Sequence, residues 1–296
     1  MSARLMGPYS GGPAALRAAL AADGPLLLPG CYDALGARLI ELAWFDAAYM
    51  TGFGTSAGLL GRPDVGLLGM TDMVDNARRI VQATTLPVVA DADTGYGNPL
   101  NVMHTVRAFE QAGVAGIHLE DQVAPKRCGH MDGKVVVPLN EMVAKIEAAV
   151  LARQNDDFVL IARTDARSTL GLDAAIDRAK ACRDAGADVL FVEAPQDLDE
   201  VARVANELAG TPLLFNWVEG GKTPPLDFAT INDLGFAIIL MPITTLLAAS
   251  KAMTAVLEHI KASGSPVGTS GLTTTFDRFT HDVGLADVQT LDTRFR

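Results

Sequence analysis

The sequence predicts a (β/α)8 barrel with a C-terminal tail, an α/β fold of the TIM type. Three features carry that reading in a chain of 296 residues: eight short aliphatic runs, amphipathic stretches of helical length between them, and polar residues gathered at the far ends of the runs. The runs are PLLLPGC from Pro25, DAAYMTG from Asp46, PVVADAD from Pro87, VAGIHLED from Val114, FVLIART from Phe158, DVLFVEA from Asp188, PLLFNW from Pro212 and FAIILMP from Phe236. Aliphatic residues dominate most of each run, as strands buried on both faces require. Between them, Asp72 to Thr84, Leu100 to Ala112, Leu139 to Ala152, Asp173 to Ala185 and Thr244 to Ala262 repeat apolar residues at helical spacing. Gly113 and Gly186 directly follow two of these stretches, where a residue tolerant of positive φ ends a helix before the next strand. An open doubly wound sheet is the rival fold, but it would place a glycine-rich phosphate loop after its first strand, and GCYDALG from Gly30 is no such loop.

The chain is read as one barrel domain, residues 1–296, with a tail over 263–296 that has no place in an eight-unit barrel. There GSPVGTSG leads towards TTTFDRFTHDVGL, a connector before one short amphipathic helix expected to pack on a partner subunit. Thirty-five acidic residues against twenty-four basic ones give a net charge of −11. No Lys/Arg block stands ready to neutralise phosphates, which argues against nucleic-acid and anionic-membrane partners. Cys31, Cys128 and Cys182 show neither metal nor redox spacing, which fits a reduced, cytoplasmic compartment. The opening MSARLMGPYSGG has no apolar stretch of signal length. The most apolar stretch, Phe236 to Ala249, is too short for a membrane span and contains Pro242.

Barrel active sites collect at the C-terminal ends of the strands. Those ends hold Tyr49 and Thr51, then Asp91 and Asp93, then His118, Glu120 and Asp121, then Arg163 and Asp165, Glu193 and Asn216. Asp91 and Asp93, two apart on a strand, should share a face, and neighbouring carboxylates stay ionised together only beside a cation. With Glu120 they form an all-oxygen set suited to Mg2+ or Mn2+ rather than zinc. The blander reading is that one aspartate caps the following turn. QVAPKRCGHMDGKVVVP, from Gln122 to Pro138, is long for a barrel loop and reads as a lid or binding element. In it Cys128 sits beside Lys126, Arg127 and His130, surroundings that lower a thiol's pKa. Cys31 and Cys182 read as packing residues.

The stretches EDQVAPKRCGH, DADTGYGN, IARTDA and YMTGFG resemble the isocitrate lyase and phosphoenolpyruvate mutase superfamily from Pro29 to Ala262, and KRCGH marks its lyase branch. The resemblance implies an eight-stranded barrel with a terminal helix exchanged within a homodimer or homotetramer. It implies that Asp91 is the direct Mg2+ ligand, with Asp93, Glu120 and Asp64 acting through water or in an outer shell. It makes Cys128 the catalytic acid, Tyr49 the group that takes the hydroxyl proton, and Arg163 and Glu193 their catalytic partners. Thr51, Gly52 and Phe53, with Asp91, His118 and Lys126, would hold the 2-oxo or 2-hydroxy carboxylate. Gly129, His130, Arg163 and Asn216 would hold the departing half.

The activity so implied is cleavage of a small dicarboxylic acid, a 2-alkylmalate such as 2,3-dimethylmalate, to pyruvate and a carboxylic acid. Methylisocitrate is the second choice, and oxaloacetate follows, disfavoured because Pro242 stands where oxaloacetate hydrolases tend to carry a serine. Phosphonate chemistry is disfavoured because those members carry an asparagine where this chain has Cys128. A small-acid-binding sensor barrel is the non-enzymatic alternative.

Overall fold

The computed structural model of the chain describes residues 10–129 and 133–296. Its strands are β1 Leu26–Cys31, β2 Ala48–Met50, β3 Val88–Asp91, β4 Gly116–Glu120, β5 Val159–Thr164, β6 Val189–Val192, β7 Leu214–Asn216 and β8 Ile238–Met241. Each lies inside the run predicted for it. All pair in parallel in the order β6-β5-β4-β3-β2-β1-β8-β7. A bridge between Leu190 and Leu213 then joins β6 to β7 and closes the cylinder.

The helices begin and end where local chemistry dictates. Pro99–Ala112 starts with a proline whose missing N–H costs nothing in the first turn. The Asn98 side chain accepts from the amides of Leu100 and Asn101, and Gly113 at φ 91° ends the helix. Leu139–Ala152 follows Pro138 and buries Met142, Ile146 and Ala149 on one stripe.

Strand alternation sorts the side chains into two cores. Met50, Val88, Ala90, Ile117, Leu119, Leu160 and Ala162 face the helices. Their alternates Tyr49, Val89, Ile161, Phe191 and Leu240 fill the barrel interior. The helix Pro13–Leu20 sends Leu16 into that interior cluster, among residues from the starts of the strands. The same period carries Asp91, His118, Glu120 and Arg163 inward and leaves Asp121 outside the mouth. Asp121 instead accepts from Thr164 Oγ1 at 2.7 Å, the Asp165 amide at 2.8 Å and Arg178 Nη1 at 2.9 Å. It ties the ends of β4 and β5 to the helix Leu172–Asp184.

The tail differs from the single helix expected. A 3-10 turn at Thr269–Gly271 precedes two helices, Phe276–Asp282 and Leu285–Arg294, because Gly284 at φ 78° interrupts what reads as one amphipathic stretch. Arg38 Nε donates to the Asp282 carbonyl at 2.8 Å, so the tail is anchored on its own barrel. The preceding helix, Thr244–Ser263, has no buried residue in its 20 positions. Among the described residues no helix is long and apolar enough to cross a membrane.

Asp121→Ala should strand the Arg178 guanidinium without its carboxylate. A loss of about 3–5 kcal/mol is expected, the usual cost of breaking a buried pair from one side. Urea unfolding measures it as a lower midpoint at unchanged slope.

Candidate active site

The strand ends enclose a cavity of about 240 Å³ whose lining includes Tyr49, Asp91, Glu120, Cys128, Arg163 and Glu193. That volume suits a small acid rather than a nucleotide. Thr51, Phe53, Asp64, Lys126, Gly129 and Asn216 also border it. Gly52, Asp93 and His118 stand just behind the wall. His130, predicted to hold the departing half, lies outside the described residues.

One wall is a set of buried carboxylates. Asp91 is held by three contacts: its Oδ2 accepts from the Gly52 amide at 3.1 Å, its Oδ1 accepts from the Asp93 amide at 2.9 Å, and His118 Nε2 stands 2.9 Å from Oδ1. Lys126 Nζ reaches Asp64 at 2.6 Å and Asp93 at 2.7 Å. Burial alone would raise the Asp91 carboxyl, but His118 and Lys126 outweigh it and hold it below the usual carboxylate range. Burial pushes Asp93 up despite Lys126, and Asp91 and Asp64 add like-charge repulsion. Burial also pushes Glu120 well up, against Arg163 and Lys126.

Asp91 and Asp93 meet for a different reason than strand spacing. β3 ends at Asp91, and Asp93 takes φ 49°, a left-handed turn conformation. The turn folds the Asp93 amide back onto Asp91, so the two are neighbours by a local hydrogen bond rather than by sharing a strand face.

Does this wall fit a divalent cation? Glu120 Oε1 is buried with no hydrogen-bond partner among the described residues. Four carboxylates, Asp64, Asp91, Asp93 and Glu120, are each less than one-tenth exposed. All their donor atoms are hard oxygens, as Mg2+ and Mn2+ prefer. Among the described residues no three His, Cys, Asp or Glu side chains converge closely enough to hold an ion by themselves. The set therefore fits an ion bound largely through water and substrate.

The opposite wall is built on a guanidinium. Arg163 donates from Nε to Asp165 Oδ2 at 2.9 Å and from Nη2 to Oδ1 at 3.1 Å, a fork-to-fork pair. Its carbon lies 5.0 Å from the centre of the Phe191 ring. Glu193 Oε1 is 4.0 Å from Nη2, and Asn216 Nδ2 donates to Glu193 Oε2 at 3.1 Å. Between the walls runs the KRCG backbone, shaped by Gln122. The Gln122 amide donates to the Arg127 carbonyl at 2.8 Å and accepts from the Arg127 amide at 2.9 Å. Cys128, half-buried, follows directly and borders the cavity.

A family model described as phosphoenolpyruvate phosphomutase matches residues 16–261. The chain is 46% identical to 2,3-dimethylmalate lyase of Eubacterium barkeri over 279 residues, 94% of this chain and 96% of that protein. It superposes on oxaloacetate acetylhydrolase, solved with 3,3-difluorooxaloacetate, with a TM-score of 0.92 at 40% identity, covering 97% of each chain. It also superposes on phosphonopyruvate hydrolase, solved with oxalate and Mg2+, with a TM-score of 0.87 at 29% identity, covering 96% of this chain and 99% of that one. The chain belongs to the PEP mutase/isocitrate lyase superfamily.

In this superfamily member, which carries the KRCGH sequence of the lyase branch, the strand-end reading missed part of the cavity. Val218, Leu240, Pro242 and Ile243 add an apolar part to the lining, and Glu219 from the loop after β7 adds a further carboxylate. Apolar residues in or after a strand carry no chemical signal, so apart from Pro242 only their place in space reveals them. Tyr96 was also missed: at φ 59° it turns its hydroxyl into a buried position, where burial and the charges of Asp93 and Asp91 push the phenol well up.

A Cβ on Gly52 would stand 2.4 Å from Asp91 Oδ2. Gly52→Ala should therefore displace that carboxylate and lower kcat/KM about a hundredfold, the scale of a ~1 Å misplacement. Steady-state kinetics, with a melting curve as control for folding, checks it.

Proposed function

We propose that this superfamily member is a carbon–carbon lyase that cleaves a 2-alkylmalate, such as 2,3-dimethylmalate, into pyruvate and a carboxylic acid. The observation that carries the reading is the division of one small cavity into a carboxylate wall and a guanidinium wall with a thiol between them. A 2-hydroxy dicarboxylate has matching halves. One bears the hydroxyl and C1 carboxylate, and the other bears the carboxylate that receives electrons when the bond breaks.

Asp91, with Asp93, Glu120 and Asp64, would hold Mg2+ or Mn2+ next to the first half. When bound, such an ion supplies positive charge to the hydroxyl and C1 carboxylate. The Phe53 amide, in the first turn of the helix Gly52–Leu60, and the Thr51 hydroxyl would position that carboxylate, with Gly52 holding Asp91 beside it. Tyr49 faces the hydroxyl, but burial and Asp91 push its phenol well above the usual range, so it stands as a neutral O–H. Its oxygen lies 2.9 Å from His118 Nδ1. A proton taken from substrate by Tyr49 is thus passed on to His118 rather than left as a charge on the ring. As the bond breaks, Arg163 and the Gly129 backbone stabilise the charge on the second carboxylate, and Cys128 delivers the proton that makes the saturated acid. Glu193 and Asn216 orient the guanidinium.

The apolar part made by Val218, Leu240, Pro242 and Ile243 suits alkyl substituents. It favours an alkylated malate over oxaloacetate. Cys31 and Cys182 are buried thiols outside any disulfide, which supports a reducing, cytoplasmic setting. The exposed apolar residues Met253, Leu257, Phe276 and Phe295 support assembly as a homodimer or homotetramer. Sedimentation should show no monomer at micromolar concentration, and a monomer would count against the assembly.

Mg2+-dependent release of pyruvate from a panel of 2,3-dimethylmalate, 2-methylisocitrate, oxaloacetate and phosphonopyruvate tests the reading. Chelation should abolish turnover and Mg2+ or Mn2+ should restore it, with Asp91→Ala costing more than Asp93→Ala. Full activity in excess chelator would sink the metal role. Cys128→Ser should lower kcat about a thousandfold at a nearly unchanged KM, as loss of a general acid does. Cys31→Ser should leave turnover intact.

A further inference from the structure

Lys134 stands behind the pocket wall, and nothing in the mechanism above uses it. Its side chain is 1% exposed, and an ammonium so deeply buried needs partners. It donates to the Gly129 carbonyl and, at 2.9 Å, to Asp165 Oδ1. Asp165 is the carboxylate that grips the Arg163 fork. Burial alone would raise Asp165, but Arg163 and Lys134 outweigh it and hold it at about 2. Gly129 is pressed against the same groups from the other side. A Cβ there would fall 2.3 Å from Glu193 Oε1 and 2.4 Å from Arg163 Nη2.

We propose that Lys134 is a positioning residue that sets, through Asp165 and the Gly129 carbonyl, the distance between the Arg163 guanidinium and the backbone carrying Cys128. One ammonium braces both groups that meet the departing acid. Without it Asp165 keeps only one of its two cations, the guanidinium gains freedom to tilt, and the Gly129 carbonyl loses a buried donor. The hydrogen bonds of Lys134 reach neither Tyr49, Asp91 nor Lys126, so the Asp91 side of the other wall keeps its direct supports, and the remaining link is the 3.4 Å approach of Arg163 Nε to Glu120 Oε2. The inference rests on the lyase reading, in which Arg163 faces the departing half.

The test compares the parent with Lys134→Met, which removes the cation at similar length, and Lys134→Gln, which keeps a donor without the charge. Turnover of 2,3-dimethylmalate is measured with Mg2+ present, along with inhibition by propionate, a probe of the guanidinium wall, and by oxalate, a probe of the carboxylate wall. In Lys134→Met, kcat should fall and the propionate inhibition constant should rise, each about 10- to 100-fold, the worth of a charge-assisted hydrogen bond. Oxalate inhibition should stay within about threefold, as for an uncoupled site. Lys134→Gln should lie between, and it carries the same test if Lys134→Met does not fold. Equal weakening of both inhibitors, or no change in either, overturns the proposal. A parent that neither cleaves 2,3-dimethylmalate nor binds propionate overturns the lyase reading itself, before any variant is made.

Discussion

Four carboxylates buried at one end of a barrel repel one another, and the way that repulsion is balanced shapes everything around them. Lys126 supplies one positive charge between Asp64 and Asp93. His118 and the Gly52 amide settle Asp91. Glu120 is left with a buried oxygen that no donor among the described residues meets. In a medium of low effective dielectric such an imbalance is costly unless protons or a cation make it up. The raised proton affinity of Asp93 and Glu120 is one expression of that deficit. A rigid parallel barrel is the kind of scaffold that can hold such groups close, because its strand ends are pinned by backbone pairing and covered by helices.

The second wall solves the opposite problem. Arg163 is a permanent cation beneath the mouth, and Asp165, Glu193 and Glu120 surround it so closely that its direction is set by them. Asp165 cannot do this alone, since it is buried too and draws part of its stabilisation from Lys134. The Gln122 clasp on Arg127 then brings the next residue, Cys128, to the seam between the walls. Position also separates the three thiols. Burial, followed by the charges of Asp33 and Asp121 respectively, pushes Cys31 and Cys182 up to about 12, which leaves them inert near neutrality. Cys128 alone of the three borders the cavity.

Much of this is legible in the amino-acid order. Eight aliphatic runs, helix stops such as Gly113 and the two-residue period of strands determine which residues face inward, because backbone pairing leaves a strand only two faces. Tyr49, His118, Glu120 and Arg163 follow from that period without knowledge of the third dimension. The KRCGH stretch is equally local, and so is its placement on a long loop between a strand and a helix.

Other features depend on distance in space, which the sequence does not encode locally. Asp93 reaches Asp91 through a left-handed turn rather than a strand face. Asp121, polar and at a strand end, belongs to a brace outside the mouth because it sits one residue out of phase. Lys134 reads as an ordinary loop lysine until the fold brings it onto Asp165, 31 positions away. The apolar part of the cavity and the split tail are likewise tertiary facts. Period and motif determined which side chains enter the barrel; only closure of the chain decided which buried charges meet, because Coulomb and hydrogen-bond energies depend on separation and burial rather than on order along the chain.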